Sequence, residues 1–144
     1  MPYDLVTKMN ILRPAEDVYE AFADPAKIGN FWFSASSGRW ETGKTISLAY
    51  AEYGASMDIR IVEAVENEII AFDWGEGDYW RRVDMFFNPV EGGTEVEVHE
   101  LFTKEDENLA DFLVGNKEGW VFMLTCLKAW LENGVNTLRT GLVV

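Results

Sequence analysis

Positive charge is scarce in this sequence: 12 lysines and arginines stand against 25 aspartates and glutamates, a formal net charge of -13 at pH 7 with the one histidine neutral. Affinity for nucleic-acid phosphates or anionic lipid headgroups rests on Lys and Arg, so neither nucleic acid nor a membrane surface is an expected partner. Cysteine is nearly absent. Cys126 alone allows no internal disulfide and no zinc site built on several thiolates, which suits a reducing, cytoplasmic setting. Long apolar runs are missing too: the longest, residues 120–124, is far below the roughly 18 residues a spanning helix needs. The segment MPYDLVTKMN lacks the apolar centre of an export signal.

Apolar and aromatic residues, by contrast, are plentiful. They make up 48% and 14% of the 144 residues, enough for a sizeable core in one domain spanning 1–144. No repeat, linker or charge block divides the chain.

Leu5, Thr7, Met9 and Ile11 alternate with Val6, Lys8 and Asn10 as a weakly patterned first strand. Pro14 suits a first helical turn, and Val18, Tyr19, Ala21 and Phe22 form one apolar face before Asp24-Pro25 ends it. A second short helix is expected over 25–31. Strand periods separated by turn residues then predict strands near 38–42, 44–50, 55–63, 68–74, 79–88 and 93–102. The last third, 105–133, has helical spacing, with Thr103 as N-cap and Gly134 as C-cap. The acidic run Glu105, Asp106 and Glu107 then complements the helix dipole without any need for calcium. The order is β-α-α-β6-α, an α+β fold.

Directly opposed residues in an antiparallel hairpin share a face, which makes the register testable. Pairing Tyr50 with Ala55, Ile61 with Ile70, Trp74 with Tyr79 and Phe87 with Thr94 turns Asp58, Arg60, Asp73, Trp80, Arg82, Asp84, Glu95, Glu97 and His99 outward. The other face is apolar and needs a cover, which only the long C-terminal helix is large enough to provide. That inward face carries two charges, Arg81 and Glu100, expected opposite each other. Burying a lone charge is costly, so they should pair with one another or meet a ligand.

Motifs for catalysis are thin. His99 falls on the outward face without a cysteine or serine partner, and Cys126 reads as a buried structural thiol. Gly75-Glu76-Gly77 and Glu91-Gly92-Gly93 read as hairpin turns, since neither leads into a helix as a phosphate loop would. No catalytic residue, metal ligand or cofactor site is assigned. For any one aromatic a packed core is sufficient explanation. Taken together, Trp32, Met57, Phe72, Trp74 and Tyr79, with Trp120, Met123 and Leu127 on the helix, form the expected lining of a pocket for a small apolar molecule. Arg81 and Glu100 would be its polar contacts.

The segment from Pro14 to Pro25, Phe31-Trp32, the run Gly38-Arg39-Trp40-Glu41-Thr42-Gly43, Phe72-Asp73-Trp74, the run from Gly93 to Val98, Gly119-Trp120 and the run from Leu127 to Gly134 together resemble the START-like (SRPBCC) superfamily. More narrowly the chain resembles single-domain homologues of the activator of the heat shock protein 90 ATPase. The resemblance implies a helix-grip fold: a curved antiparallel sheet around a long C-terminal helix, with a hydrophobic cavity between them. It departs from the common pattern at residues 108–117, extra helical material suited to a lid or an interface.

Three functions are open on this reading. The leading one is binding of a small hydrophobic or amphipathic ligand in the cavity. The resemblance also implies a chaperone-associated module in the stress response, or a cyclase- or hydrolase-type enzyme in which Arg81 and Glu100 act on a bound molecule. A homodimer through Trp80, Phe86 or Leu101 is a further expectation.

Overall fold

Along Gly93–Phe102 the side chains of Thr94, Val96, Val98, Glu100 and Phe102 are buried and those between are not, the period-two signature of a sheet with one covered face. The protein, described here for residues 3–105 and 107–143 of a computed structural model, is built around that face. β1 (Tyr3–Ile11) is followed by α1 (Ala15–Ala23) and a single 3-10 turn at Ile28–Asn30. Six further strands follow: β2 (Ala35–Ser36), β3 (Thr45–Tyr50), β4 (Ala55–Val65), β5 (Ile69–Glu76), β6 (Tyr79–Val90) and β7 (Gly93–Phe102). α2 (Leu109–Asn133) ends on Gly134, whose φ of 71° supplies the left-handed cap. The strands form one antiparallel sheet in the order β1-β7-β6-β5-β4-β3-β2. Trp120, Met123, Leu124, Cys126 and Leu127 of α2 are buried with the inward face of that sheet in one core, the helix-grip arrangement.

Several expectations are corrected. Residues 38–42 are not a strand, and β2 is two residues long at Ala35–Ser36. The second helix is reduced to the 3-10 turn. α2 begins at Leu109 with Asn108 as N-cap, so Thr103 is not the cap of this helix; Asp106 lies outside the described residues.

The β3–β4 register is as expected, Tyr50 facing Ala55 and Ile46 facing Ile59. The β5–β6 and β6–β7 hairpins slip by two residues, and β4–β5 slips by two as far as Ile61 and by three beyond the bulge that follows it. Glu76 rather than Trp74 faces Tyr79, Ile61 faces Phe72 across a β-bulge, and Phe87 faces Val96. The physical reason is turn length. Gly77 and Gly92, at φ 59° and 79°, let two-residue loops close β5–β6 and β6–β7, and Asn67 at φ 64° lets three residues close β4–β5, so each strand extends farther toward its turn. Gly75 is therefore in a strand, not a turn, where a Cβ would meet the Tyr79 carbonyl oxygen at 2.0 Å. A slip of two preserves the face of a side chain, and the odd slip is confined to Glu63–Val65, outside the polar outward set, which therefore stands.

Candidate functional site

Glu100 is fully buried, on the inward face of β7. The two-residue slip places Val83 directly opposite it, with Arg81 one diagonal step away. Arg81 is long enough to bridge that step, and its Nε donates to Glu100 Oε2 at 2.9 Å. Trp74 Nε1 donates to the same oxygen at 2.9 Å, and Trp120 Nε1 donates to Oε1 at 2.9 Å. Asn116 Nδ2 reaches both oxygens, at 3.0 and 3.1 Å. All of these partners are donors, so the carboxylate acts purely as an acceptor, and its charge is met by Arg81. The Arg81 guanidinium in turn lies 5.3 Å from the ring centres of both Tyr79 and Phe102 and 6.0 Å from that of Phe112.

Above this cluster is a cavity of about 540 Å³. The sheet side presents Met57, Trp74, Gly75, Tyr79 and Arg81; the helix side presents Phe112, Gly115, Asn116, Gly119 and Trp120, and Trp32 closes one end. The helix side is open because the residues of α2 from Ala110 to Gly119 are at most half-buried, while packing against the sheet resumes at Trp120. The first turns of α2 thus overhang the sheet instead of filling it.

A second cavity, about 310 Å³, lies across Trp32 and Gly119 from the first. Its wall includes Phe31, Tyr50, Tyr53, Phe122 and Met123, and the segment after α2 supplies Arg139 and Leu142. Arg139 is 7% exposed. Its Nε donates to the Trp32 carbonyl at 2.7 Å, its two terminal nitrogens hold the Glu52 carboxylate at 2.7 and 3.1 Å, and Tyr50 Oη donates to its carbonyl at 2.7 Å. Pairing with Glu52 outweighs burial and raises the Arg139 pKa further, while the Glu52 carboxyl is held below its ordinary range.

His99 is on the opposite, outward face. Its Nδ1 lies 3.0 Å from both Asp4 oxygens and its Nε2 2.5 Å from Glu97. Burial of Cys126 pushes its thiol pKa up, the reverse of a reactive cysteine. Among the described residues no group of three His, Cys, Asp or Glu side chains is placed to hold a metal ion, and no helix is long and apolar enough to cross a membrane.

Residues 13–132 match the family described as Activator of Hsp90 ATPase homolog 1-like protein. The chain belongs to that family. No curated protein shows a matching sequence. Among solved structures, the crystal structure of SSP2350 from Staphylococcus saprophyticus is 48% identical, with a TM-score of 0.84, over 93% of this chain and 95% of that one. The Aha1 dimer from Colwellia psychrerythraea is 20% identical, with a TM-score of 0.80, over 92% of this chain and 98% of that one. CalU16 from Micromonospora echinospora is 19% identical, with a TM-score of 0.75, over 96% and 80%. These last two likenesses concern the fold alone.

In this Activator of Hsp90 ATPase homolog 1-like chain, the residues singled out in the sequence fall in three places. Trp32, Met57, Trp74, Tyr79, Arg81 and Trp120 line the first cavity, with Glu100 bonded behind them. Met123 lines the second cavity instead. Phe72 and Leu127 are fully buried in the core and line neither. Sequence reasoning missed Phe112, Gly115, Asn116 and Gly119. Their signal was helical spacing, since Phe112 and Asn116 precede Trp120 by eight and four residues on one helix face.

Proposed function

We propose that this protein binds a small, largely apolar molecule with one hydrogen-bonding head group in the cavity between sheet and α2. The observation that carries the reading is Glu100: a fully buried carboxylate held by Arg81, Asn116 and two indoles at the base of an aromatic cavity. A carboxylate so fully bonded orients its donors more than it exchanges protons. It fixes the planes of Trp74 and Trp120 and the position of Arg81, whose Nη groups donate to no described residue and so suit a ligand hydroxyl or carbonyl. With Glu100 neutralising Arg81 and a chain charge of -13, an uncharged head group is favoured over an anion. We place this binding function in the cytoplasm, where buried Cys126 stays reduced.

Native mass spectrometry of the purified protein, followed by denaturing extraction, tests the reading. A co-purifying apolar compound, or quenching of tryptophan fluorescence by 4-ethylphenol that Arg81→Ala weakens, supports it. Neither a co-purifying compound nor phenol binding would overturn it.

A protein-partner reading has one observation of its own. The outward face exposes Trp80 and Leu101, at 42% and 36%, beside acidic side chains, and a neighbour of the same fold, Colwellia Aha1, is a dimer. A self-associating chain would sediment as a dimer and dissociate on Trp80→Glu; a chaperone partner would be retained by the protein at moderate salt.

A further inference from the structure

Trp32 separates the two cavities. It is 8% exposed, lines both, and packs its ring 5.6 Å from Trp120 and 4.8 Å from Phe33. The indoles of Trp74 and Trp120 both donate to Glu100, yet that of Trp32 donates to no described residue. That N–H keeps accessible surface, since among the described residues Asn67 Oδ1 alone is a buried side-chain polar atom without a partner, and it is free to donate to an acceptor on a bound molecule. Among the described residues the one other shared wall is Gly119, and a Cβ built there meets nothing within 4 Å. Between the cavities, then, stand one indole edge with an unused donor and one bare turn of helix.

The second cavity itself has no unused charge. Its one cation among the described residues, Arg139, is bonded to Glu52 and to the Trp32 carbonyl, and the remaining wall is aromatic, thioether or aliphatic apart from Gly119. From this we infer that the second cavity is a second compartment of the same binding site. It takes an uncharged apolar arm of the molecule whose head group lies at Arg81, and the arm passes Trp32 over Gly119. The inference rests on the ligand-binding reading above and adds the shape of the ligand: elongated, with its polar end at Arg81, and too long for the first cavity alone. Leu142, on the segment latched by Arg139, forms the far wall.

The test is a series of 4-ethyl-, 4-butyl-, 4-hexyl- and 4-octylphenol titrated into the intact protein and its Leu142→Trp variant, whose added indole fills the second compartment. In the parent protein affinity should climb by about fourfold per methylene through the whole series. In the variant, ethylphenol should bind as before, and the climb should stop once the chain reaches Trp32. Amide NMR shifts at Tyr53 and Phe122, moved by octylphenol but not by ethylphenol, give a readout in the unaltered protein should the variant fail to fold. Identical chain-length profiles in both proteins, or no shift at Tyr53 and Phe122, overturn the second compartment while leaving the first intact. No binding at any chain length overturns both.

Discussion

Trp74 and Trp120 stack with ring centres 5.2 Å apart, and each gives its indole N–H to a different oxygen of the same carboxylate, Glu100. One residue comes from the sheet and the other from the helix, so Glu100 ties the two layers together at the floor of the cavity. Glu100→Gln keeps the shape but replaces an acceptor oxygen with a donor, facing other donors, and leaves Arg81 as a nearly buried unpaired cation. Breaking such a pair from one side costs about 3–5 kcal/mol. Urea unfolding should show a loss of that order, and a loss under about 1 kcal/mol would contradict the role given to Glu100. The double replacement Arg81→Met with Glu100→Gln should recover part of it.

Gly115 and Gly119 lie inside a helix at positions where added Cβ atoms meet nothing within 4 Å. Alanine is better than glycine in a helix interior by about 1 kcal/mol. Gly115→Ala and Gly119→Ala should therefore each raise the melting temperature by roughly 2–8 °C. Both glycines line the cavity, so weaker binding of 4-ethylphenol by either variant would show that its added methyl enters it. A fall in melting temperature would mean that these glycines serve the fold itself.

The inward and outward faces of the sheet were legible in the sequence because alternation survives any even error in register. Arg81 and Glu100 therefore share a face on the sequence pattern alone, whichever even register the hairpin takes. What was not legible was the depth of each hairpin: Gly77-Asp78 and Glu91-Gly92 close tighter than their flanking glycines suggested, and the bulge after Ile61 has no sequence mark. The second cavity was invisible for a different reason. It is made by a tail that carries no periodicity, and its latch, Arg139 on Glu52, joins residues 87 apart.

His99 makes stability depend on pH. Burial works against its charged form, but hydrogen bonds to Glu97 and Asp4, and their charges, outweigh that and raise its pKa above 6.5. Asp84, across the strand pair on β6, adds a further negative charge. A raised pKa means that the folded state holds the proton more tightly than the unfolded chain. The stabilisation is thus complete below about pH 6.5 and is lost as pH rises through the raised value. The stability difference between the parent protein and His99→Gln should be largest near pH 6, shrink toward pH 9 and fall further in high salt. A difference that does not vary across this range would exclude the imidazolium as its source.

Arg139 holds the segment after α2 through contacts that no other residue of that segment duplicates: the Trp32 carbonyl, the Glu52 carboxylate and the Tyr50 ring, 4.8 Å from the guanidinium carbon. Val135 and Leu138 are exposed, at 39% and 42%, so little apolar burial would remain to hold the segment once the guanidinium is gone. Arg139→Ala should release residues 135–143 while leaving the sheet and α2 folded. The expected readout is rapid hydrogen exchange and protease cleavage confined to the chain after Gly134, with far-UV circular dichroism unchanged. Arg139→Lys should restore little, because one ammonium cannot span the Glu52 carboxylate and the Trp32 carbonyl together. Continued protection of the segment in Arg139→Ala would show that Tyr53 and Leu142 hold it without the latch.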